Sequence, residues 1–205
     1  MNGPLSLDDL AREPEQFTCD LHTAGGSPFT ARLLRSDDGD RLGLYFDNLG
    51  PSVRGMYGPH PLHAAHAALL CGSIDCDQLL PFVAIVNDPD DAESHAIAGY
   101  FLVQVGLRDG DRQRYIDHGH PLTEQECCTF APCIADAWQS RGLGSALFAH
   151  LATSLRRLGR RQLVLWGGVR SDNPRAQHFY RKFGFRHVGD FGVKGLNNLD
   201  MVLDL

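Results

Sequence analysis

Gln139-Ser140-Arg141-Gly142-Leu143-Gly144-Ser145 joins an apolar, strand-like run, Phe130 to Ala135, to a strongly amphipathic segment. In that segment Leu143, Ala146, Leu147, His150, Leu151, Leu155 and Leu158 recur at three- and four-residue spacings. They therefore share one face of a helix, which is expected to pack on a sheet. The helix would begin at the two glycines. There the backbone N–H groups lack intrahelical partners, the helix dipole is positive, and the missing side chains let an anion approach. A pyrophosphate suits such a turn. Other phosphate motifs fail on spacing: a Walker loop needs Lys-Ser/Thr after its second glycine, and a dinucleotide fingerprint needs a third glycine. A glycine pair at a helix start is also a plain tight-turn signal, so the cradle reading needs a second motif.

Asn173-Pro174-Arg175-Ala176-Gln177-His178-Phe179-Tyr180-Arg181-Lys182-Phe183-Gly184-Phe185 supplies it. Asn173 reads as an N-cap and Pro174 as the first helical position, while Ala176, Phe179, Tyr180 and Phe183 form an apolar stripe and Gly184 is a C-terminal stop. Together the two stretches resemble the GNAT superfamily of acyl-CoA-dependent N-acyltransferases. Its central loop reads Gln/Arg-x-x-Gly-x-Gly/Ala and its later helix Asn-x-x-Ala-x-x-x-Tyr-x-x-x-Gly-Phe. The resemblance is closest over about residues 81–187 and extends from about residue 28 to the C-terminus.

The resemblance implies an α/β (α+β) fold: a single GNAT-like domain whose central sheet is mixed and mostly antiparallel, with a splayed parallel pair of strands and helices on both faces. The domain is expected over 28–205, preceded by an extension, 1–27, that could add a strand. Acetyl-CoA is the implied co-substrate. Its pyrophosphate would lie on Gln139, Ser140, Arg141, Gly142, Leu143, Gly144 and Ser145, and its thioester arm on the strand backbone at Pro132, Cys133 and Ile134. Asn173 and Tyr180 would touch it from the later helix, and Arg175 or Lys182 could meet the ribose phosphate.

Composition agrees with one well-buried domain: 205 residues, 43% hydrophobic. No apolar run approaches a membrane span, and the acidic N-terminus does not read as a signal peptide, so a soluble cytoplasmic protein is expected. The cysteines at 19, 71, 76, 127, 128 and 133 lack CxxC spacing, which argues for free, mostly buried thiols and against zinc. No metal is expected. The net charge is −6, yet residues 139–187 hold 10 basic side chains and 1 acidic one, Asp172. A basic segment around the cradle suits a polyphosphate, and the acidic remainder suits a cationic or amine-bearing acceptor. Overall acidity disfavours nucleic acid. A homodimer is compatible with the sequence.

Along the rest of the chain, residues 1–15 offer at most one helical turn. Strands are expected at 17–22 and 29–34, a first helix after Ser36 to Asp40, and a helix from Leu62 to Cys71 with Pro61 at its first position. His60, His63 and His66 recur every three residues there, a pattern that two surface histidines on an Ala/Leu-rich helix explain better than a metal. Residues 81–86 and 96–105 read as antiparallel strands around the turn-forming stretch 87–93. Residues 106–123 read as a long polar loop whose His118 and His120 could reach an acceptor. In the next strand Glu126, Cys128, Phe130, Pro132 and Ile134 alternate with Cys127, Thr129, Ala131 and Cys133. Pro132 is expected to mark a bulge, because it cannot donate to a ladder. A buried parallel strand over 161–166 exits at Gly167 to Arg170 beside the cofactor; Trp166 could line the pocket there, although core packing explains it better. Closing strands are expected at 185–191 and 199–203, joined by 192–198.

For the chemistry, Tyr180 matches the family tyrosine that can protonate the coenzyme A thiolate, although it also fits the aromatic stripe as mere packing. Many relatives carry a glutamate base at the position of Cys128. Glu126, two residues earlier on the same face, is the nearest substitute, acting through water, with Glu124, His118 and His120 behind it. Cys128 as a nucleophile would need an activating neighbour. The expected activity is direct transfer of acetyl from acetyl-CoA to a primary amine, on a small molecule. The alternative is an acyl-CoA-binding regulatory module with little or no catalysis.

Overall fold

The computed structural model describes residues 5–87 and 95–205, so the turn expected at 87–93 lies almost wholly outside the described residues. In chain order the elements are α1 (Leu7–Arg12), β1 (Cys19–His22), β2 (Pro28–Leu33), α2 (Gly39–Asp47), α3 (Pro51–Met56), α4 (Ala64–Gly72), β3 (Leu79–Asn87), β4 (His95–Val105), α5 (Asp109–Asp117), β5 (Cys127–Ile134), α6 (Leu143–Arg157), β6 (Gln162–Leu165), β7 (Val169–Arg170), α7 (Pro174–Lys182), β8 (Arg186–Val193) and β9 (Leu196–Asp204). The strands form one sheet in the order β1-β2-β3-β4-β5-β6-β9-β7, with β8 also on β9. Every pairing among the described residues is antiparallel except β5 with β6. This is the mixed, mostly antiparallel sheet that the motif pair implies.

Alternation along β5 divides the core between the two faces. Cys128 and Phe130 point to one face, where Leu143, Leu147, Phe148, Leu151 and Leu155 of α6 are buried with Tyr180 of α7. Each of these large apolar side chains contributes roughly 1.5–3 kcal/mol by leaving water. Ala131 and Cys133 point to the other face, against Leu42, Tyr45 and Phe46 of α2, Val53 of α3 and Ala67 of α4. The N-terminal segment belongs to the first layer: Leu10 and Phe17 sit in the α6 core, and β1 extends the sheet from β2.

Four expectations are corrected. Residues 109–117 are helical: α5 carries Asp109 and Asp111 in its first turn and seats Tyr115, whose hydroxyl donates to the Met201 carbonyl at 2.7 Å. The later histidine helix starts at Ala64, not Leu62, because the His63 ring caps it by accepting from the His66 N–H at 3.1 Å. The two closing strands meet in a tight hairpin at Lys194 and Gly195, both with positive φ (50° and 78°), a combination that suits the twist of the strands. Finally, Pro132 makes no bulge: the β4–β5 register runs unbroken from Val105↔Cys128 to Gly99↔Ile134. The Ala135 N–H donates to Ala98, which places the odd-numbered peptide groups of β5 on the β4 side. The missing N–H of Pro132 therefore faces away from β4 and costs that ladder nothing. The irregularity lies one strand over, between Ala84 and Ile85 opposite β4.

Candidate functional site

The parallel pair is short. β5 and β6 pair only from Cys127↔Gln162 to Phe130↔Leu165, and the last bond is from the Trp166 N–H to the Phe130 carbonyl at 2.9 Å. The chain then turns away through Gly167 and Gly168, both at positive φ (63° and 70°). A Cβ on Gly168 would lie 2.8 Å from the Leu199 carbonyl oxygen, so this exit tolerates no side chain. Beyond Phe130 the β6 side of β5 is open. By alternation the Pro132 carbonyl and the Ile134 N–H and carbonyl face that gap. The Ile134 carbonyl accepts from the Gln139 side-chain amide at 3.0 Å.

The cradle closes one end of the gap. Ser140 (φ 59°) and Gly142 (φ 88°, ψ −8°) take left-handed conformations, and α6 starts at Leu143 with its first bond from Ala146 N–H to the Gly142 carbonyl. The N–H groups of Leu143, Gly144 and Ser145 are thus outside the helical ladder. The backbone of Ala24, in the β1–β2 turn, forms the facing wall: a Cβ on Gly142 would sit 3.0 Å from its nitrogen. Cations surround this point. Arg175 donates to the Gln139 side-chain carbonyl, Lys182 donates to the Ser145 hydroxyl at 3.0 Å, and the Arg141 guanidinium lies 6.0 Å from the Trp138 ring. Asn173 caps α7 as expected, its side-chain oxygen accepting from Ala176 N–H at 3.1 Å.

Gap and cradle belong to one cavity of about 1360 Å³. Pro132, Cys133, Ile134, Gln139, Ser140, Arg141, Gly142, Gly144, Ser145, Asn173 and Tyr180 all line it, while Leu143 points its side chain into the core behind. Tyr180 is 6% exposed, and burial raises its phenol well above the ordinary range, so the hydroxyl keeps its proton. Cys133 is nearly enclosed, and burial pushes its thiol up to about 11.

Several residues do not reach the cavity. Glu126 lies before β5 and pairs with Arg161 at 3.2 Å. Six residues separate it from Pro132, roughly 20 Å along a strand, so the geometry does not bring it to the gap. His118 faces Asp200 at 3.4 Å, His120 lies beside Tyr115, and Glu124 pairs with Arg112. Cys128 is fully buried and pushed up to about 11, with no base beside it.

Other residues enter that sequence reading passed over. Tyr57, Gly58 and Pro59, after α3, line the cavity. The His60 Nδ1 lies 2.9 Å from the Pro61 carbonyl, which can only accept, so Nδ1 carries the proton and Nε2 is an acceptor. That Nε2 faces the hydroxyls of Tyr57 (3.1 Å) and Tyr100 (3.2 Å). Burial lowers His60 to about 4. Trp166, for which core packing was the preferred of two expectations, lines the cavity, with the Arg108 guanidinium 4.9 Å over its ring centroid. Despite the acidic composition, no carboxylate lines this cavity among the described residues.

Residues 94–187 match the family described as acetyltransferase (GNAT) domain. A curated acetyltransferase, PA5475 of Pseudomonas aeruginosa, is 32% identical over 134 residues, which are 64% of this chain and 62% of that protein. The match thus spans less than two thirds of the relative. Among solved structures, the GNAT domain of S. lividans PAT superposes with a TM-score of 0.73 at 19% identity, covering 94% of this chain and 99% of that one. The structure of yncA of Salmonella typhimurium with its cofactor acetyl-CoA superposes at a TM-score of 0.61 with 17% identity over 86% of this chain and 93% of its own.

Proposed function

We propose that this chain is a GNAT-superfamily N-acetyltransferase moving acetyl from acetyl-CoA directly to a primary amine, a reading supported by the family match over residues 94–187 and by the curated acetyltransferase relative. The observation that carries the reading is the continuity of cradle and open strand edge in one cavity. The free N–H groups at the start of α6 and the cations Arg141, Arg175 and Lys182 suit a pyrophosphate and a ribose phosphate. The Pro132 carbonyl and the Ile134 N–H suit the amides of an extended arm. That the cradle would be filled by a single Cβ at Gly142 fits close anion approach. Acetyl-CoA supplies an activated acyl group.

The chain's own residues supply position and proton control. Holding an amine against the strand edge accounts for much of the rate such a site can provide. Tyr180, protonated and buried beside the gap, is placed to hand a proton to the departing sulfur. On the opposite wall, Tyr57, hydrogen-bonded to His60, offers its oxygen as an acceptor that orients an amine N–H, and the amine's proton leaves to solvent water. With both Cys128 and Cys133 pushed up to about 11, thiolate is scarce at neutral pH, which favours direct transfer over an acyl-cysteine.

The test is calorimetric titration with acetyl-CoA of the wild type and of Gly142→Glu, followed by CoA release across a panel of amines. Saturable binding lost in the variant, with amine-dependent CoA release, is expected. Binding without release for any amine would leave a regulatory acyl-CoA module, and no binding by folded protein would end the reading.

A further inference from the structure

Three of the six cations that line the cavity, Arg141, Arg175 and Lys182, stand on the cradle and α7, and Arg170 is held by Asp172 at 2.5 Å. Phosphates of the co-substrate account for the first three. They leave Arg108 and Lys194 unexplained. Arg108 approaches from the face opposite α6: it precedes α5, and its shelf, Trp166, packs with the α2–α4 layer. Its nearest carboxylate oxygen, Asp111 Oδ2, lies at 3.7 Å, an ion-pair distance beyond hydrogen-bond reach, while Arg114 holds the other oxygen, Oδ1, at 2.6 Å. The guanidinium therefore sits over an indole with hydrogen-bonding edge to spare. Lys194, at the hairpin tip, has no ion-pair partner among the described residues.

A site built for a polycation would place carboxylates around it, and none lines this cavity among the described residues. An arginine over an indole is instead suited to a planar anion, which its fork can hold through two parallel bonds. The same cavity exposes apolar surface: Met56, Val193 and Leu196 are 40%, 47% and 42% exposed and all line it. We propose that the acceptor is an amino acid-like amine whose carboxylate is held by Arg108 on the Trp166 shelf, with Lys194 adding charge and the apolar lip taking a hydrophobic side chain. This rests on the acetyl-transfer reading for its amine, but the anion subsite can be tested without turnover.

The experiment titrates CoA-saturated protein with N-acetyl-leucine, N-acetyl-phenylalanine and N-acetyl-methionine, with their amides, and with the phosphonate analogue of N-acetyl-leucine. The same series is run on Arg108→Gln and Arg108→Lys. Loss of a charge-assisted pair should weaken binding tenfold or more. The carboxylates should therefore bind at least tenfold tighter than the amides, Arg108→Gln should erase that preference, and Arg108→Lys should restore only part of it. A phosphonate preferred over the carboxylate would overturn the amino acid assignment. So would amides that bind as well as acids, or an unchanged preference in Arg108→Gln. Initial rates with the free amino acids and their amides follow. A carboxylate preference in KM that disappears in Arg108→Gln, with acetyl-CoA affinity unchanged, supports the proposal. Arg108-dependent product binding without acetylation of any amine would sink the enzyme reading while leaving the anion subsite standing.

Discussion

At the scale of single residues the site depends on atoms that cannot be exchanged. Gly142 combines a left-handed backbone with a wall 3.0 Å from where a Cβ would stand. Gly142→Ala should cost about 1–2 kcal/mol from the backbone alone and weaken acetyl-CoA binding, which calorimetry and a melting curve would read together. Tyr180→Phe keeps the ring packed edge-on against Phe130 and Phe179 and tilted against Phe185. Turnover should fall by about 10²–10⁴ with cofactor affinity nearly intact, and equal turnover would remove Tyr180 from its role. His60 gives a pH signature. The folded protein keeps it neutral down to about 4, whereas the unfolded chain takes up a proton near the ordinary 6.5. Its contribution is thus present above pH 6.5 and lost as pH falls towards 4. The His66 ring, tilted against it at 4.6 Å, adds to that preference for the neutral form. In melting temperatures taken from pH 7 to pH 4.5, His60→Gln should show a shallower decline than the wild type.

Elements differ in how openly the sequence announces them. α6 and α7 are legible because an apolar stripe, a cap and a glycine stop agree, and with them came the cradle and Tyr180. α5 was not: its apolar residues, Tyr115 and Ile116, are adjacent, so they make no helical stripe. What holds it is long-range. Arg114 donates to both oxygens of Asp200 at 3.0 Å and to Asp111 at 2.6 Å, and both carboxylates are buried. Arg114→Ala should deprive two buried carboxylates of their hydrogen-bonded partner and cost roughly 3–5 kcal/mol, visible as a lower denaturant midpoint. Since α5 begins just after Arg108, that loss should also loosen the acceptor wall. The Pro132 bulge failed for a related reason. A missing donor implies a defect only if its side of the strand is paired, and pairing is a property of the neighbour.

In the whole molecule, the cofactor half of the cavity comes from elements close in sequence, α6 to α7, and could be read from motifs. The acceptor half is assembled from α3, the start of α5, the end of β6 and the β8–β9 hairpin, segments separated by most of the chain. No local pattern marks them, because each contributes a few residues whose meaning arises only on assembly. The composition was misleading in the same way. Acidic residues predominate before residue 139, yet the cavity they surround is cationic. Binding of a polyanion there should weaken as salt rises, since such attractions are screened over about 8–10 Å at moderate ionic strength.

The alternation of β5 carries one more consequence. Its odd peptide groups serve the sheet and its even ones face the gap, so the strand is a two-channel tape read by parity. A single-residue insertion or deletion between Cys127 and Ile134 would swap the channels, turning the proline's silent position onto β4 and sheet-bound amides into the gap. A two-residue change keeps parity. Chains that diverge from this one while keeping the pocket should therefore vary in this strand by substitution or by pairs of residues, and not by one.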